Sequence, residues 1–453
     1  MPNLSPQIRA AKRRIIREKQ INFVLPSLYR FFCTTFVIVC NMMDGCMTKI
    51  AFIHNTFPSG GAERVTIDIA RHLSTLGGYE VFVYATRLAD GLMPKDLSHV
   101  LTTHVIPSQA IQRRRSRYIE KRLVTDDIDI LVMVGKSIND LDGIKRRTGV
   151  QTVIACHGEP FWQRYIITHR RQQGVFRRLM WLLYNKRRFA DGTRAMQMAM
   201  QRTSRDYALC DAYTVLCDTY KTEMMEMLQL NPQEEHLYVI ENSEYPVERV
   251  CYTKEKEILF CGRLEHWSKR VDRLLRAWGA IQHDLPEWRL TIVGDGPARR
   301  MLHEQADALG LERISFEGQQ EETSIYYQRA SVVCLTSETE GWGLALTEAQ
   351  AHGCIGVAFG CTAGIREVLS PHGECGFIVP PFDEKAYAET LLHIARLSRE
   401  EELGIRMNSV KKRLRYAPTI IVEKWRRLFD TLMDNKRQRE GVLQPPAANK
   451  SNS

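Results

Sequence analysis

One stretch in the second half of the chain decides the fold prediction: residues 337–349 read Ser-Glu-Thr-Glu-Gly-Trp-Gly-Leu-Ala-Leu-Thr-Glu-Ala. It follows an apolar run at 331–335, typical of a buried strand, and leads into a helical pattern at 344–352. A strand, a glycine turn and a helix start present free backbone N–H groups and a positive dipole end to an anion. Glu340 lies just before this turn and Glu348 about one helical turn inside the helix, and carboxylates accept hydrogen bonds from sugar hydroxyls. The stretch therefore indicates a pocket for a sugar joined to a nucleotide diphosphate.

The same alternation of strand and helix extends over most of the chain. Short apolar runs that predict buried strands alternate with helical patterns from Lys49 onward. The predicted strands of the first half lie at 50–54, 80–85, 128–134, 152–156 and 212–217, and those of the second half at 258–261, 289–293, 314–317, 332–335 and 355–358. Such alternation predicts an α/β fold with two facing, Rossmann-like, doubly wound domains and a cleft between them.

A break in this alternation marks the domain boundary. The strand pattern stops at 241–246, and a charged stretch follows. A late amphipathic helix is predicted at 420–432. The predicted organisation is an extension at 1–46, an N-terminal Rossmann-like domain at 47–245 with a helix at 417–435, a C-terminal Rossmann-like domain at 246–416, and a disordered tail at 436–453.

Two cations follow the first predicted strand of the second unit. Arg263 comes directly after the run Phe-Cys-Gly at 260–262, and Lys269 follows six residues later. At the carboxyl end of a strand these cations would hold a diphosphate without a metal. A basic loop taken alone is more often a solvated surface. That interpretation weakens here because this loop is expected to open onto the same face as Glu340.

Glycine pairs and a lone histidine supply weaker signals at other strand ends. Gly60 and Gly61 follow the first strand and begin a helix, which lets the backbone approach an anionic ligand, although such a pair usually marks only a tight turn. His157 ends the strand at 152–156; a single histidine there is as often structural as chemical. The Gly-Asp-Gly-Pro turn at 294–297 lacks the third glycine of a dinucleotide fingerprint, since position 299 is Arg, so nicotinamide binding is disfavoured.

Composition limits the partners and the compartment. The chain has 453 residues, a net charge of +10 and a pI near 9.0, which favours anionic partners. Nucleic acid is disfavoured because no recognised binding motif accompanies the charge. The 12 cysteines form no C-x-x-C pair, so they indicate small buried side chains in a reducing compartment and no metal site. We expect no cofactor apart from the nucleotide-diphosphate sugar, which would be a substrate. We also expect the protein to be cytoplasmic.

Two segments raise the question of a membrane. Residues 161–190 combine basic and aromatic side chains without Asp or Glu, which fits either peripheral contact with an anionic membrane or a helix packing its apolar face on the domain. Residues 31–43 are uncharged but span only 13 residues, fewer than a membrane-spanning helix needs. The extension at 1–46 is therefore interpreted as a disordered segment, a weak anchor or a mis-assigned start.

Taken together, these residues resemble the retaining glycosyltransferases of family four, also called group 1 glycosyl transferases. The resemblance rests on Glu340 and Glu348, eight positions apart around Gly-Trp-Gly, on Arg263 and Lys269, and on Gly-Gly-Ala-Glu-Arg at 60–64. It covers about 47–435 and is densest at 258–382. The spacing from Arg263 to Lys269 is one residue longer than is common, and the N-terminal extension is not a family feature.

The resemblance implies a glycosyltransferase B fold and a role for each site residue. The catalytic set would be Arg263 and Lys269 on the leaving diphosphate, Glu340 on the donor-sugar hydroxyls and His157 on the donor sugar. The donor-binding set would be Glu348 on the ribose, the backbone of Gly341, Trp342, Gly343 and Leu344 on the phosphates, and Gly60 and Gly61 over the reaction centre. The late helix would cross back onto the first, acceptor-side domain.

The predicted function is transfer of a hexosyl unit from a nucleotide-diphosphate sugar to a saccharide or a lipid-linked saccharide. With the basic aromatic segment, this suggests polysaccharide or lipopolysaccharide assembly at the inner face of the cell membrane. Two alternatives stay open at the sequence level: a nucleotide-sugar epimerase on the same fold, which needs an acid/base pair at the sugar, and a non-catalytic membrane-surface scaffold. The combined glutamate and cation set argues against the scaffold.

Overall fold

Two parallel sheets, one in each half of the chain, form the architecture. The computed structural model describes residues 47–442 except 59, 90–92, 95, 108–111, 136, 165–192, 232, 234–235 and 245–246. Each sheet is covered by helices, so the predicted α/β class with two doubly wound domains is confirmed. No helix in the described part of the chain combines the length and apolar character that crossing a bilayer requires.

The N-terminal sheet has seven strands in the order β3-β2-β1-β4-β5-β6-β7, all paired in parallel. Its strands are β1 Thr48–Phe57, β2 Tyr79–Leu88, β3 Thr102–Val105, β4 Ile130–Val134, β5 Gln151–Ala155, β6 Ala212–Val215 and β7 Leu237–Val239. Its helices are α1 Gly61–Leu76, α2 Gln112–Thr125, α3 Leu141–Thr148, α4 Thr193–Leu209 and α5 Asp218–Leu228. The central strands are continuous apolar runs because helices cover both faces of the sheet.

The C-terminal sheet has six parallel strands in the order β10-β9-β8-β11-β12-β13. Its strands are β8 Glu255–Cys261, β9 Arg289–Val293, β10 Ile314–Gly318, β11 Ala330–Leu335, β12 Ile355–Phe359 and β13 Phe377–Val379. Its helices are α6 Val271–Ile281, α7 Arg299–Ala308, α8 Ser324–Arg329, α9 Leu344–Ala351, α10 Ala363–Leu369, α11 Glu384–Ala395 and α12 Arg399–Arg413. Pro297 lies in a turn two residues before α7.

Strand order determines where a ligand binds in such sheets. In each domain the first strand lies in the middle: β1 pairs with β2 and β4, and β8 pairs with β9 and β11. The chain therefore leaves neighbouring strands in opposite directions, which opens a crevice outside their carboxyl ends. The loops after β8 and β11, which carry the predicted cations and Glu340, emerge side by side at this edge.

The last helix, α13 Pro418–Val442, packs on the N-terminal domain. Trp425 and Phe429 are buried in the same apolar cluster as strand residues such as Ile50 and Phe52. The Tyr79 hydroxyl on β2 also donates to Asp430 Oδ1 at 2.7 Å. Full burial of a side chain the size of Phe429 contributes roughly 1.5–3 kcal/mol, so this helix ties the two halves of the chain together.

Candidate active site

The loops after β8 and β11 bring the predicted cation Lys269 into contact with the predicted carboxylate Glu340. The Lys269 ammonium forms an ion pair with Glu340 Oε2, and both side chains are mostly buried. The backbone N–H of Glu338 donates to the Ser268 carbonyl at 2.7 Å, which holds the two loops together. Arg263 lies on the same loop as Lys269; its side chain is exposed and makes no hydrogen bond or ion pair with the residues that the structure describes.

The glycine turn before α9 lies against the N-terminal domain. Gly343 has φ +79°, a backbone conformation that disfavours any other residue. A Cβ at Gly341 would lie 2.3 Å from the His157 carbonyl oxygen and 2.7 Å from Gly158 Cα. The Tyr220 hydroxyl donates to the Gly341 carbonyl at 3.0 Å. The absence of a side chain at Gly341 therefore allows the loop of one domain to rest on the loop of the other.

His157 is a partly exposed, neutral histidine at this contact. Its Nδ1 hydrogen-bonds Asn242 Oδ1 at 2.8 Å, so Nδ1 carries the proton and Nε2 is the acceptor. Burial lowers the pKa of His157 to about 4. At neutral pH the His157 side chain is uncharged. It can therefore orient a ligand or accept a hydrogen bond from one, but it does not supply a positive charge.

The glycine pair before α1 faces the start of α9. A Cβ at Gly61 would lie 2.6 Å from Leu344 Cδ1, across the interdomain cleft. Below it, His54 Nδ1 lies 3.4 Å from Glu63 Oε1. Burial alone would raise the pKa of Glu63, but the hydrogen bond and charge of His54 lower it, so Glu63 is a carboxylate. The glycine loop of the N-terminal domain thus faces the first residue of α9 in the C-terminal domain.

Glu348 takes part in a network that the sequence did not reveal. One carboxylate oxygen accepts from Arg64 of α1, and the other accepts from the Tyr327 hydroxyl at 2.6 Å. Arg64 Nη2 also donates to Glu244 Oε1 at 3.1 Å, and Thr347 Oγ1 donates to Glu244 Oε2 at 3.0 Å. We call these three ionisable residues, Arg64, Glu244 and Glu348, the interdomain triad.

The triad was missed for two reasons. Arg64 belongs to the quoted Gly-Gly-Ala-Glu-Arg segment, which was the only available signal, and it was interpreted through its glycines. Glu244 falls in the stretch predicted as a linker. It is almost fully buried, and burial raises its pKa despite the neighbouring guanidinium.

The structure describes Trp342 fully, but it describes only the first residues of the basic aromatic segment. The Trp342 ring is buried and meets Tyr416 edge-on with ring centroids 5.2 Å apart, so only its backbone faces the cleft. Within 161–190 the structure describes 161–164, where Phe161 is buried in the core and Trp162 Nε1 donates to the Gly135 carbonyl at 3.3 Å. The rest of the predicted membrane-contact segment lies outside the described residues.

These features define a class: two facing Rossmann-like domains with a charged, glycine-lined cleft between their strand ends. Two family models match the chain, one described as "Glycosyltransferase Family 4" over residues 59–243 and one as "Glycosyl transferases group 1" over residues 255–396. The chain belongs to these group 1, family 4-type glycosyltransferases, as its sequence predicted.

Similar sequences come from bacterial glycosyltransferases. An uncharacterized glycosyltransferase of Haemophilus influenzae is 31% identical over 48% of this chain and 60% of its own length. A Campylobacter jejuni enzyme, named as an α-1,4-N-acetyl-D-galactosaminyltransferase for a GalNAc-diNAcBac-PP-undecaprenol saccharide, is 24% identical over 84% of this chain and 98% of its own length. The alignments with the first three relatives span less than two thirds of those proteins.

Solved structures show the same fold. Anabaena HepE in complex with UDP and glucose superposes with a TM-score of 0.64 at 16% identity, over 85% of this chain and 100% of HepE. WaaG, a glycosyltransferase involved in lipopolysaccharide biosynthesis, gives 0.60 at 17% identity, over 84% of this chain and 99% of WaaG. The predicted glycosyltransferase B fold is confirmed.

Proposed function

We propose that the protein is a retaining, metal-independent hexosyltransferase that moves a sugar from a nucleotide-diphosphate donor to a saccharide or lipid-linked saccharide. The observation that carries this proposal is the contact of Lys269 with Glu340 at neighbouring strand ends, opposite the Gly60, Gly61 and His157 loops of the other domain. Cell-surface polysaccharide or lipopolysaccharide assembly is the proposed context, supported by the names of the Campylobacter and WaaG proteins.

In this reaction the donor's glycosyl–phosphate bond breaks and the acceptor hydroxyl forms a bond to the same carbon. The acceptor's proton passes to the departing diphosphate. The leaving group gains negative charge, which Lys269 and Arg263 would stabilise; preorganised cations in a site that excludes water are usually the largest contribution to such catalysis. When Lys269 turns to the diphosphate, Glu340 becomes available to the donor-sugar hydroxyls.

The remaining donor contacts follow from the same geometry. The backbone N–H groups at the start of α9 would bind the phosphates, Glu348 would accept from the ribose, and His157 would offer a neutral Nε2 to the sugar. The resemblance implies attack on the face that the diphosphate leaves, with retention. We also propose peripheral contact of residues 161–190 with the cytoplasmic face of the membrane, where a lipid-linked acceptor would be presented.

The test is nucleotide release from UDP- and GDP-sugars, with and without a lipid-linked acceptor, by the wild type and by Lys269→Ala and Arg263→Ala. Each variant should lose at least ~10²-fold in turnover, because it removes a group that stabilises charge in the transition state. Lys256→Ala is the matched control: this lysine pairs with Glu287 on the surface of the same domain, and both side chains are more than half exposed. Turnover within about threefold of wild type for both site variants would refute the assigned role. The anomeric configuration of the product, read by NMR, tests retention separately.

A further inference from the structure

The loop after β5 in the N-terminal domain contacts the Glu340 loop of the other domain on both sides of Glu340. Before Glu340, the Thr339 hydroxyl donates to Glu159 Oε1 at 2.8 Å. After it, Gly341 lies so close to the His157 carbonyl that a Cβ there would be 2.3 Å from the oxygen. Residues 157–159 of one domain therefore fix the backbone that carries the predicted sugar-binding carboxylate of the other.

Glu159 is held firmly in its own domain. Its side chain is only 8% exposed, and its second oxygen, Oε2, accepts from Arg164 Nη2 at 3.0 Å. Both carboxylate oxygens thus have a donor, and the guanidinium compensates the buried charge. Hydrogen bonds to ionised groups are shorter and stronger than those between neutral groups, so the Thr339 hydroxyl has a strong and well-placed acceptor.

The C-terminal domain holds Glu340 with contacts of a different kind. The Thr362 hydroxyl donates to the Glu340 carbonyl at 2.7 Å, and the Ser337 hydroxyl donates to Glu340 Oε2 at 3.3 Å. Glu159 adds an anchor one residue before Glu340, and that anchor comes from across the cleft. Its loss lets the preceding peptide shift, and a misplacement of about 1 Å at a group that orients a substrate can cost ~10²-fold in rate.

We propose that Glu159 is a positioning residue for the transfer reaction, which acts through Thr339 on the placement of Glu340. This rests on the proposed function, in which Glu340 accepts hydrogen bonds from donor-sugar hydroxyls. Glu159 is buried and both of its oxygens have donors, so it acts through Thr339 and not by contact with a substrate. The hydrogen bond forms only where the two domains meet, so the donor sugar is held correctly only when the N-terminal domain is in place.

Hydrogen exchange on the ligand-free full chain tests the positioning without any knowledge of the donor. Glu159→Ala and Thr339→Val should each speed amide exchange in residues 338–342 at least ~10-fold, because each removes a hydrogen bond to a charged group. Thr339→Ser keeps the hydroxyl and should exchange like the wild type. Glu120→Ala is the matched control, because it removes two hydrogen bonds from Arg147 in the same domain and should leave these amides unchanged. Wild-type exchange in Thr339→Val overturns the proposal.

Transfer kinetics test whether this positioning serves the reaction. For the UDP- or GDP-sugar that the wild type turns over, Glu159→Ala and Thr339→Val should each lower kcat at least ~10-fold. The double variant should lose no more than either single variant, since both remove the same contact. In a Glu340→Gln background, Thr339→Val should have no further effect on kcat. Losses that multiply in either combination overturn the proposal.

Binding of the free nucleotide separates positioning from general damage to the cleft. The Kd of UDP or GDP, measured by calorimetry, should be the same in wild type, Glu159→Ala and Thr339→Val, because Glu340 is assigned to the sugar and not to the nucleotide. A parallel loss of nucleotide binding would show a structural role and overturn the proposal. A wild type that turns over no sugar nucleotide would remove the hexosyltransferase proposal, and hydrogen exchange would then decide by itself whether Glu159 positions this loop.

Discussion

The interdomain triad gives a sharp prediction about stability. Arg64 is the cation between two carboxylates, and Glu244 retains only 4% exposure of its side chain, against 39% for Arg64 and 20% for Glu348. Arg64→Met keeps most of the apolar stem and removes the guanidinium. At a pH high enough to ionise both acids, the substitution leaves two carboxylates facing each other, one of them buried.

The structure fixes the expected magnitude. Removing one member of a fully buried ion pair costs about 3–5 kcal/mol, and the partial exposure of Arg64 reduces this to about 2 kcal/mol. For a domain of this size that is a fall in Tm of about 4–8 °C. Arg71→Met on the same helix is the matched control, because Arg71 pairs with the exposed Asp96 and should cost less than about 0.5 kcal/mol.

The stability lost on Arg64→Met should be larger at high pH than at low pH. Burial raises the pKa of Glu244, so the folded protein keeps this proton at pH values where the unfolded chain has released it. Stability from this group is therefore fully present below the ordinary carboxyl pKa and is lost as pH rises through the raised folded pKa. Without Arg64 the folded pKa rises further, so Arg64→Met should be penalised more at about pH 8 than at about pH 5.

Urea unfolding followed by circular dichroism, at both pH values, measures the effect. Adding Glu244→Gln to Arg64→Met should recover most of the loss at the higher pH, because an amide needs no cation. If Arg64→Met matches Arg71→Met within about 0.5 kcal/mol at both pH values, the triad does not stabilise the fold as argued.

Three further outcomes follow from the cleft. Gly341→Ala places a Cβ 2.3 Å from a backbone oxygen of the other domain, so the loops must separate and nucleotide release should fall by ~10-fold or more, with secondary structure retained in circular dichroism. Gly61→Ala meets only the end of the Leu344 side chain, so the same assay should show less than about a tenfold loss, the cost of an off-rotamer side chain. Burial lowers the pKa of His157 to about 4, so stability is lost as pH falls below the ordinary value of 6.5, and His157→Gln should reduce the loss between about pH 7 and 5 by about 2 kcal/mol in urea unfolding.

The fold was predictable where local pattern and burial agree. The bounds of β9 match the sequence prediction to the residue, because a continuous run of buried side chains defines this strand. Strands β3, β7 and β13 were missed. They are three or four residues long, and β3 reads Thr-Thr-His-Val, so their strand character comes from pairing with a longer neighbour and not from their own pattern.

The site was predictable only where one rule applies: in a parallel sheet, ligands bind outside the carboxyl ends of neighbouring strands. That rule places Arg263, Lys269 and Glu340 on adjacent loops, since the order of strands in a parallel sheet determines which loops are neighbours. The contact of Arg64 with Glu348 depends on how one domain sits against the other, and Glu244 lies in a segment without a helix or strand pattern. No periodicity within either domain encodes that placement.

The ion pairs of the cleft also explain how opposite charges coexist at a buried site. Each predicted donor-binding carboxylate contacts a cation, Glu340 with Lys269 and Glu348 with Arg64, so neither charge is desolvated alone. A nucleotide-diphosphate sugar brings both an anion and hydroxyl donors, and therefore exchanges partners with these pairs without leaving a charge unmatched. A ligand with a phosphate but no sugar would draw Lys269 away from Glu340 and would supply no hydroxyl group to donate a hydrogen bond to the freed carboxylate. If the proposed donor binds here, the loss of binding on substituting Lys269 should be larger for the sugar nucleotide than for the free nucleotide.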